Sequence, residues 1–116
     1  MITVDTEWLS ELVIAGWRLD RLAGVCEDAS AVTQLRYLAR RLNALTNELG
    51  AEAVDVTGQL FVDGLAVEIV DAPAEGMRAG LRIREMLSPI VQVSGHVVRF
   101  GQVTLQPEER EDSPRE

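Results

Sequence analysis

Lysine is absent from these 116 residues, and cysteine and histidine occur once each, as Cys26 and His96. A lone cysteine forbids an internal disulfide, so the chain must hold its shape by packing alone. The two residues stand seventy positions apart. Neither a C-x-x-C nor an H-E-x-x-H pattern occurs, and no glycine-rich phosphate loop follows a predicted strand, so the usual signatures of metal binding and nucleotide cradling are missing. No uninterrupted apolar run reaches about 18 residues, and no basic start leads into an apolar stretch. These absences predict a chain with no membrane span and no secretory signal, and so a cytoplasmic address.

Basic charge is also scarce: eleven arginines face nineteen acids, for a net charge of −8. Five of those acids and two of those arginines lie in residues 108–116, which contain no apolar side chain. This composition predicts a solvated acidic tail over 107–116. The remainder still carries nine arginines against fourteen acids, or −5, so the folded part itself repels polyanions and nucleic acid is a poor partner. At 47% hydrophobic and 26% charged residues the composition is globular, and the length suits one ordinary domain.

The first half reads as helical. Over residues 5–26, Trp8, Leu9, Leu12, Val13, Trp17, Leu19, Leu22, Ala23 and Val25 recur largely at three- and four-residue intervals, with Asp5 or Thr6 able to cap the start. Gly16 interrupts this pattern at a cost of up to about 1 kcal/mol relative to alanine, so either close packing compensates or the helix is weak there. After a turn in which Asp28 or Ser30 offers a side-chain acceptor, Leu35, Leu38, Leu42, Leu45 and Leu49 follow at spacings of three, four, three and four. That is an a/d seam, and it stops at Gly50, which lacks the Cβ that disfavours a left-handed C-terminal cap. Two such helices form an antiparallel hairpin with narrow apolar stripes. Two arrangements satisfy the stripes: a dimeric four-helix bundle, or packing on the following β-region within one chain.

Beyond Gly50 the periodicity shortens. Apolar runs at 53–56, 59–62 and 65–70 are separated by Thr57-Gly58 and Asp63-Gly64, and the Asp-Gly pair predicts a hairpin between the second and third. Residues 71–80 read as a loop. Further runs at 81–84, 90–93, 97–100 and 103–105 are divided by Ser88-Pro89, Ser94-Gly95 and Gly101, which together predict a compact β-region. The fold class is therefore α+β, with a helical hairpin over 1–50 and a small β-rich head over 51–106.

Ionisable residues show no constellation for chemistry. Cys26 reads as a small apolar residue at a helix end, and His96 as an exposed residue at a hairpin tip. Glu7 and Glu11, four apart on the first helix, read as solvated surface. The residues point to a binding or assembly protein without catalytic, metal or cofactor sites, and not to an enzyme.

Three strings, in order, carry a resemblance to a known family. The helix-to-strand string Leu38-Ala39-Arg40-Arg41-Leu42-Asn43-Ala44-Leu45-Thr46-Asn47-Glu48-Leu49-Gly50-Ala51-Glu52-Ala53-Val54 resembles the GrpE nucleotide-exchange factors, which show a leucine-rich helix ending in Gly-x-Glu. Upstream, Leu19-Asp20-Arg21-Leu22-Ala23 is similar to a string common in that family's first bundle helix. Downstream, Gly95-His96-Val97-Val98-Arg99-Phe100-Gly101-Gln102-Val103-Thr104-Leu105 is similar to its closing strands. The chain departs from the family in two places: few residues precede the bundle-like helix, where the family has a long coiled-coil stalk, and Phe61-Val62-Asp63-Gly64-Leu65-Ala66-Val67-Glu68, in the place of the family's early head motif, lacks its histidine.

The resemblance implies a homodimer displaying a β-head against the ATPase domain of a DnaK-type heat-shock chaperone, from which ADP then leaves faster. It implies partner contacts at Gly95, His96 and Arg99, with His96 in the place of a family arginine, and a second contact around Asn47 and Glu52. Dimerisation would fall to Leu35, Leu38, Leu42, Leu45, Leu49 and Trp17. For Arg99 a local ion pair on the strand surface is the competing role, and for the seam leucines an intramolecular core. A different class also fits: a small acidic dimeric escort chaperone or adaptor that holds a client segment and ignores nucleotide.

Overall fold

A computed structural model of the chain describes residues 5–73 and 80–107. Two helices, α1 (Thr6–Val25) and α2 (Ala29–Glu48), precede six strands: β1 (Ala51–Val54), β2 (Val67–Asp71), β3 (Leu81–Ser88), β4 (Ile90–Val93), β5 (His96–Arg99) and β6 (Gly101–Pro107). The architecture is α+β, a helical hairpin followed by two three-stranded sheets ordered β1-β4-β5 and β2-β6-β3. The acidic tail, from residue 108 onward, and residues 74–79 of the expected loop lie outside the described residues.

The helix ends follow the local chemistry of the sequence. Asp5 caps α1 by accepting the Glu7 amide at 2.9 Å, and Asp28 caps α2 by accepting the amides of Ser30 at 3.0 Å and Ala31 at 3.3 Å. Each satisfies amides that the first helical turn leaves without a partner. Gly50, with φ +83°, turns the chain out of α2 and directly into β1. Gly16 is explained by proximity: a Cβ built there would lie 2.5 Å from Asn43 Oδ1 and 3.5 Å from Leu42 Cγ. Close approach of the two helices is what the glycine permits, with the buried small residues Ala23 and Ala39 on the same two helices.

The β-region departs from the expected hairpin order. Residues 59–62 contribute only one isolated bridge, Leu60 to Arg82, and do not pair with 65–70. Asp63-Gly64 is a turn, with Gly64 at φ +94° and the Leu65 amide donating to the Val62 carbonyl, but no hairpin flanks it. Instead β2 runs parallel to β6, with Val67 opposite Gly101 and Ile69 opposite Val103. A turn signal constrains only a few residues, whereas strand pairing is decided by which apolar faces can be buried together. The Ser94-Gly95 expectation holds: Val93 pairs with His96 across a two-residue turn whose φ values are +52° and +81°. Two positive φ values match the right-handed twist of the flanking strands.

The two sheets are joined at a double corner. The chain passes from β3 to β4 through buried Pro89, and from β5 to β6 through Phe100. Two apolar clusters hold the whole. Leu9, Val13 and Ile14 of α1 pack on Ala51 and Val91, and Trp17 of α1 packs with Val56, Ile83, Met86, Ile90, Val103 and Leu105. The β-head therefore completes its core with side chains of the first helix.

Candidate functional site

The β1-β4-β5 sheet carries Glu52, His96 and Arg99 of the expected partner contacts, with Gly95 in its β4–β5 turn and Asn47 in the last turn of α2. Ala51 pairs with Val93, which pairs with His96, and Glu52 pairs with Gln92, which pairs with Val97. Glu52 and His96 thus stand in adjacent rows on opposite edges of one sheet, with backbones about 10 Å apart at the ordinary interstrand spacing. Gly95 and His96 form the exposed tip of the β4–β5 hairpin. Asn47 and Glu52 line a cavity of about 260 Å³ at the junction of the hairpin and the sheet, together with Trp17, Asp20, Asn43 and Thr46.

Arg99 is not a free cation. Its Nη1 donates to Glu11 Oε2 at 3.1 Å and its Nη2 to Glu7 Oε2 at 3.4 Å. The two acids that read as solvated surface are therefore its partners, set on one face of α1 by their i, i+4 spacing. No spacing in the sequence could disclose a pair 88 or 92 residues apart. Arg99 also borders a cleft of about 410 Å³ with Glu11, Arg18, Glu68, Ser88 and Phe100.

Behind this surface a polar brace ties α1 to the head. The Trp17 indole donates to Asp55 Oδ2 at 3.1 Å, while Asp55 Oδ1 accepts the Thr57 amide at 2.9 Å and the Thr57 hydroxyl at 2.6 Å. Burial pushes the Asp55 carboxyl up, but the Thr57 hydrogen bonds, the Trp17 indole and the charge of Arg21 outweigh it and hold the pKa below the ordinary carboxylate value. Arg21 stacks on the Trp17 ring at 4.7 Å, donates to the Met86 carbonyl and pairs with Glu85 at 3.5 Å. Trp17 is accordingly a core and brace residue and does not share the leucine seam.

The seam itself is largely uncovered. Leu38, Leu45 and Leu49 are exposed, while Leu35 and Leu42 are half-buried. The first helix has a second apolar stripe that its sequence pattern did not separate from the first. Leu9, Val13, Ile14 and Trp17 face the sheets, whereas Trp8, Leu12 and Leu22 remain exposed, Trp8 at 69%. The signal was present in excess width: the apolar set on α1 is too broad for one face. Gly16, buried between Leu12 and Leu19 in sequence, lies against half-buried Leu42, where the two helices approach closely.

Among the described residues no three His, Cys, Asp or Glu side chains converge to hold a metal ion, and no helix is long and apolar enough to cross a membrane. Compared with protein-family models and with curated proteins, the sequence matches none. The fold and surface define a small α+β protein with one sheet presenting polar contacts and a helical hairpin presenting an apolar seam.

Proposed function

We propose that this chain is a short GrpE-like co-chaperone, which binds the ATPase domain of a DnaK-type chaperone and promotes release of ADP. The observation that carries the reading is the shared sheet. The string that continues the leucine-rich helix through Gly50 and the string of the closing strands, distant in sequence, supply its two edges, β1 and β5. Asn47 and Glu52 on one side and Gly95, His96 and Arg99 on the other are thereby held at one end of a helical hairpin. A protein that binds the open form of a nucleotide cleft better than the closed form weakens the nucleotide by linkage, and the binder makes and breaks no bond. In this reading the protein acts in the cytoplasm and needs no cofactor.

The uncovered leucines of α2, with Trp8, Leu12 and Leu22 of α1, serve a homodimer in this reading, since uncovered apolar stripes on paired helices are the material of a four-helix bundle. A second reading, an escort protein for a client segment, draws on β2. It is an edge strand on which Ile69 and Val70 are exposed, and an open edge accepts an extended peptide.

Stopped-flow release of a fluorescent ADP analogue from a DnaK-type chaperone, with and without this protein, separates the two. Accelerated release is the expected result. Unchanged release, together with no binding by calorimetry, removes the exchange-factor reading and directs the search to client peptides.

A further inference from the structure

The proposed function relies on Arg99 meeting a partner, yet in the free chain its guanidinium is already engaged. Both of its terminal nitrogens, Nη1 and Nη2, are taken by carboxylates of α1. That pair of nitrogens is the edge with which an arginine grips a carboxylate in the two-point mode. The acids also lie outside the cation: the Glu7 and Glu11 side chains are 69% exposed, and the Arg99 side chain is 31% exposed. An approaching carboxylate meets two more accessible negative charges beside the one positive charge. Neither acid has a second cation among the described residues, so each is committed to Arg99.

Resting on the co-chaperone reading, we infer that Glu7 and Glu11 form an intramolecular lock on Arg99, occupying the guanidinium edge that a carboxylate of the partner must take. Binding then proceeds by exchange: the internal ion pairs open as the external one closes. The lock lowers affinity in two ways, by competing for the same nitrogens and by repelling the incoming carboxylate. It also sets a requirement on the partner. Only a carboxylate placed for two-point contact can displace two single-point pairs, whereas a lone distant charge cannot. Exposed pairs of this kind are individually weak, so the lock is a bias that binding can overcome.

The test compares the affinity of the full chain for a DnaK-type chaperone, by calorimetry, across wild type, Glu7→Gln/Glu11→Gln, Arg99→Gln and the triple variant. Each altered acid is solvent-exposed, and circular dichroism melting checks that the fold is kept; Glu7→Gln alone provides a milder variant. The double variant is expected to bind about three- to tenfold tighter, the range that two exposed pairs allow. Glu7→Gln alone should give a smaller gain, and Arg99→Gln should bind more weakly than wild type. The triple variant should bind no tighter than Arg99→Gln, because without the guanidinium nothing is left to unlock. Equal or weaker binding by the double variant overturns the lock and makes the pairs a brace. A gain that persists in the triple variant overturns it in favour of long-range charge. Wild type that fails to bind removes the co-chaperone reading and the lock together, whereas wild type that binds without a gain in the double variant removes the lock alone.

Discussion

Two glycine-to-alanine changes, each inside a regular element, should shift stability in opposite directions. Gly24 lies near the end of α1, and a Cβ built there meets nothing within 4 Å. Alanine costs less backbone entropy than glycine, so Gly24→Ala is expected to stabilise by up to about 1 kcal/mol. Gly101 opens β6 at the corner between the sheets, buried, where a Cβ would lie 2.8 Å from Met86 Cε, 3.0 Å from the Ser88 carbonyl oxygen and 3.2 Å from Ile90 Cγ1. The methionine terminus can swing aside, but the carbonyl belongs to the backbone of β3 beside buried Pro89. Overpacking of this kind costs about 1–3 kcal/mol, which exceeds the entropic gain and reverses its sign. For a domain of this size about 1 kcal/mol corresponds to roughly 4–6 °C, so Gly101→Ala, with a net loss of about 0.5–2 kcal/mol after the entropic gain, should lower Tm by about 2–12 °C while Gly24→Ala raises it by a few degrees. Thermal melts by circular dichroism at fixed protein concentration measure both. A Gly101→Ala protein as stable as wild type would falsify the close approach at the corner.

The remaining predictions concern the brace and the seam. Because the folded-state pKa of Asp55 is depressed, its contribution is fully present above the unfolded value of about 3.9 and is lost as pH falls through the folded value. Asp55→Asn should therefore lower Tm at neutral pH, with the gap to wild type closing below about pH 4; a gap independent of pH refutes the assignment. Leu45 is exposed within one chain, so Leu45→Asp should leave the monomer fold intact but convert a dimer to monomers in light scattering, since it buries an unpaired charge at the seam. Wild type that is already monomeric at tens of micromolar removes the seam from consideration.

What could be read from the sequence was what neighbouring residues decide. Asp28 caps α2 because its oxygen reaches amides two and three residues on, and Gly50 ends the same helix because the turn needs a backbone conformation that a Cβ resists. Ser94-Gly95 makes a hairpin because the strands on either side are each other's partners. Asp63-Gly64 has a comparable turn signal but makes none, because β2 finds its partner in β6, more than thirty residues on. The exposed seam on α2 was legible in its leucine spacing. The division of α1 into a sheet-facing stripe and an outer one was not, because both stripes are apolar and only the position of the sheet tells them apart.

The sequence by itself determined the two helices and their ends, the α+β class and the acidic surface, since helix periodicity, capping and charge depend on residues within a turn or two, or on composition alone. Tertiary structure decided the parallel pairing of β2 with β6, the burial of Trp17 in the head and the capture of Arg99 by Glu7 and Glu11. These join residues from 33 to 92 positions apart. At such separations chain geometry places no limit on which groups meet; the choice falls to the one arrangement that buries the apolar faces together, and the polar contacts follow from it.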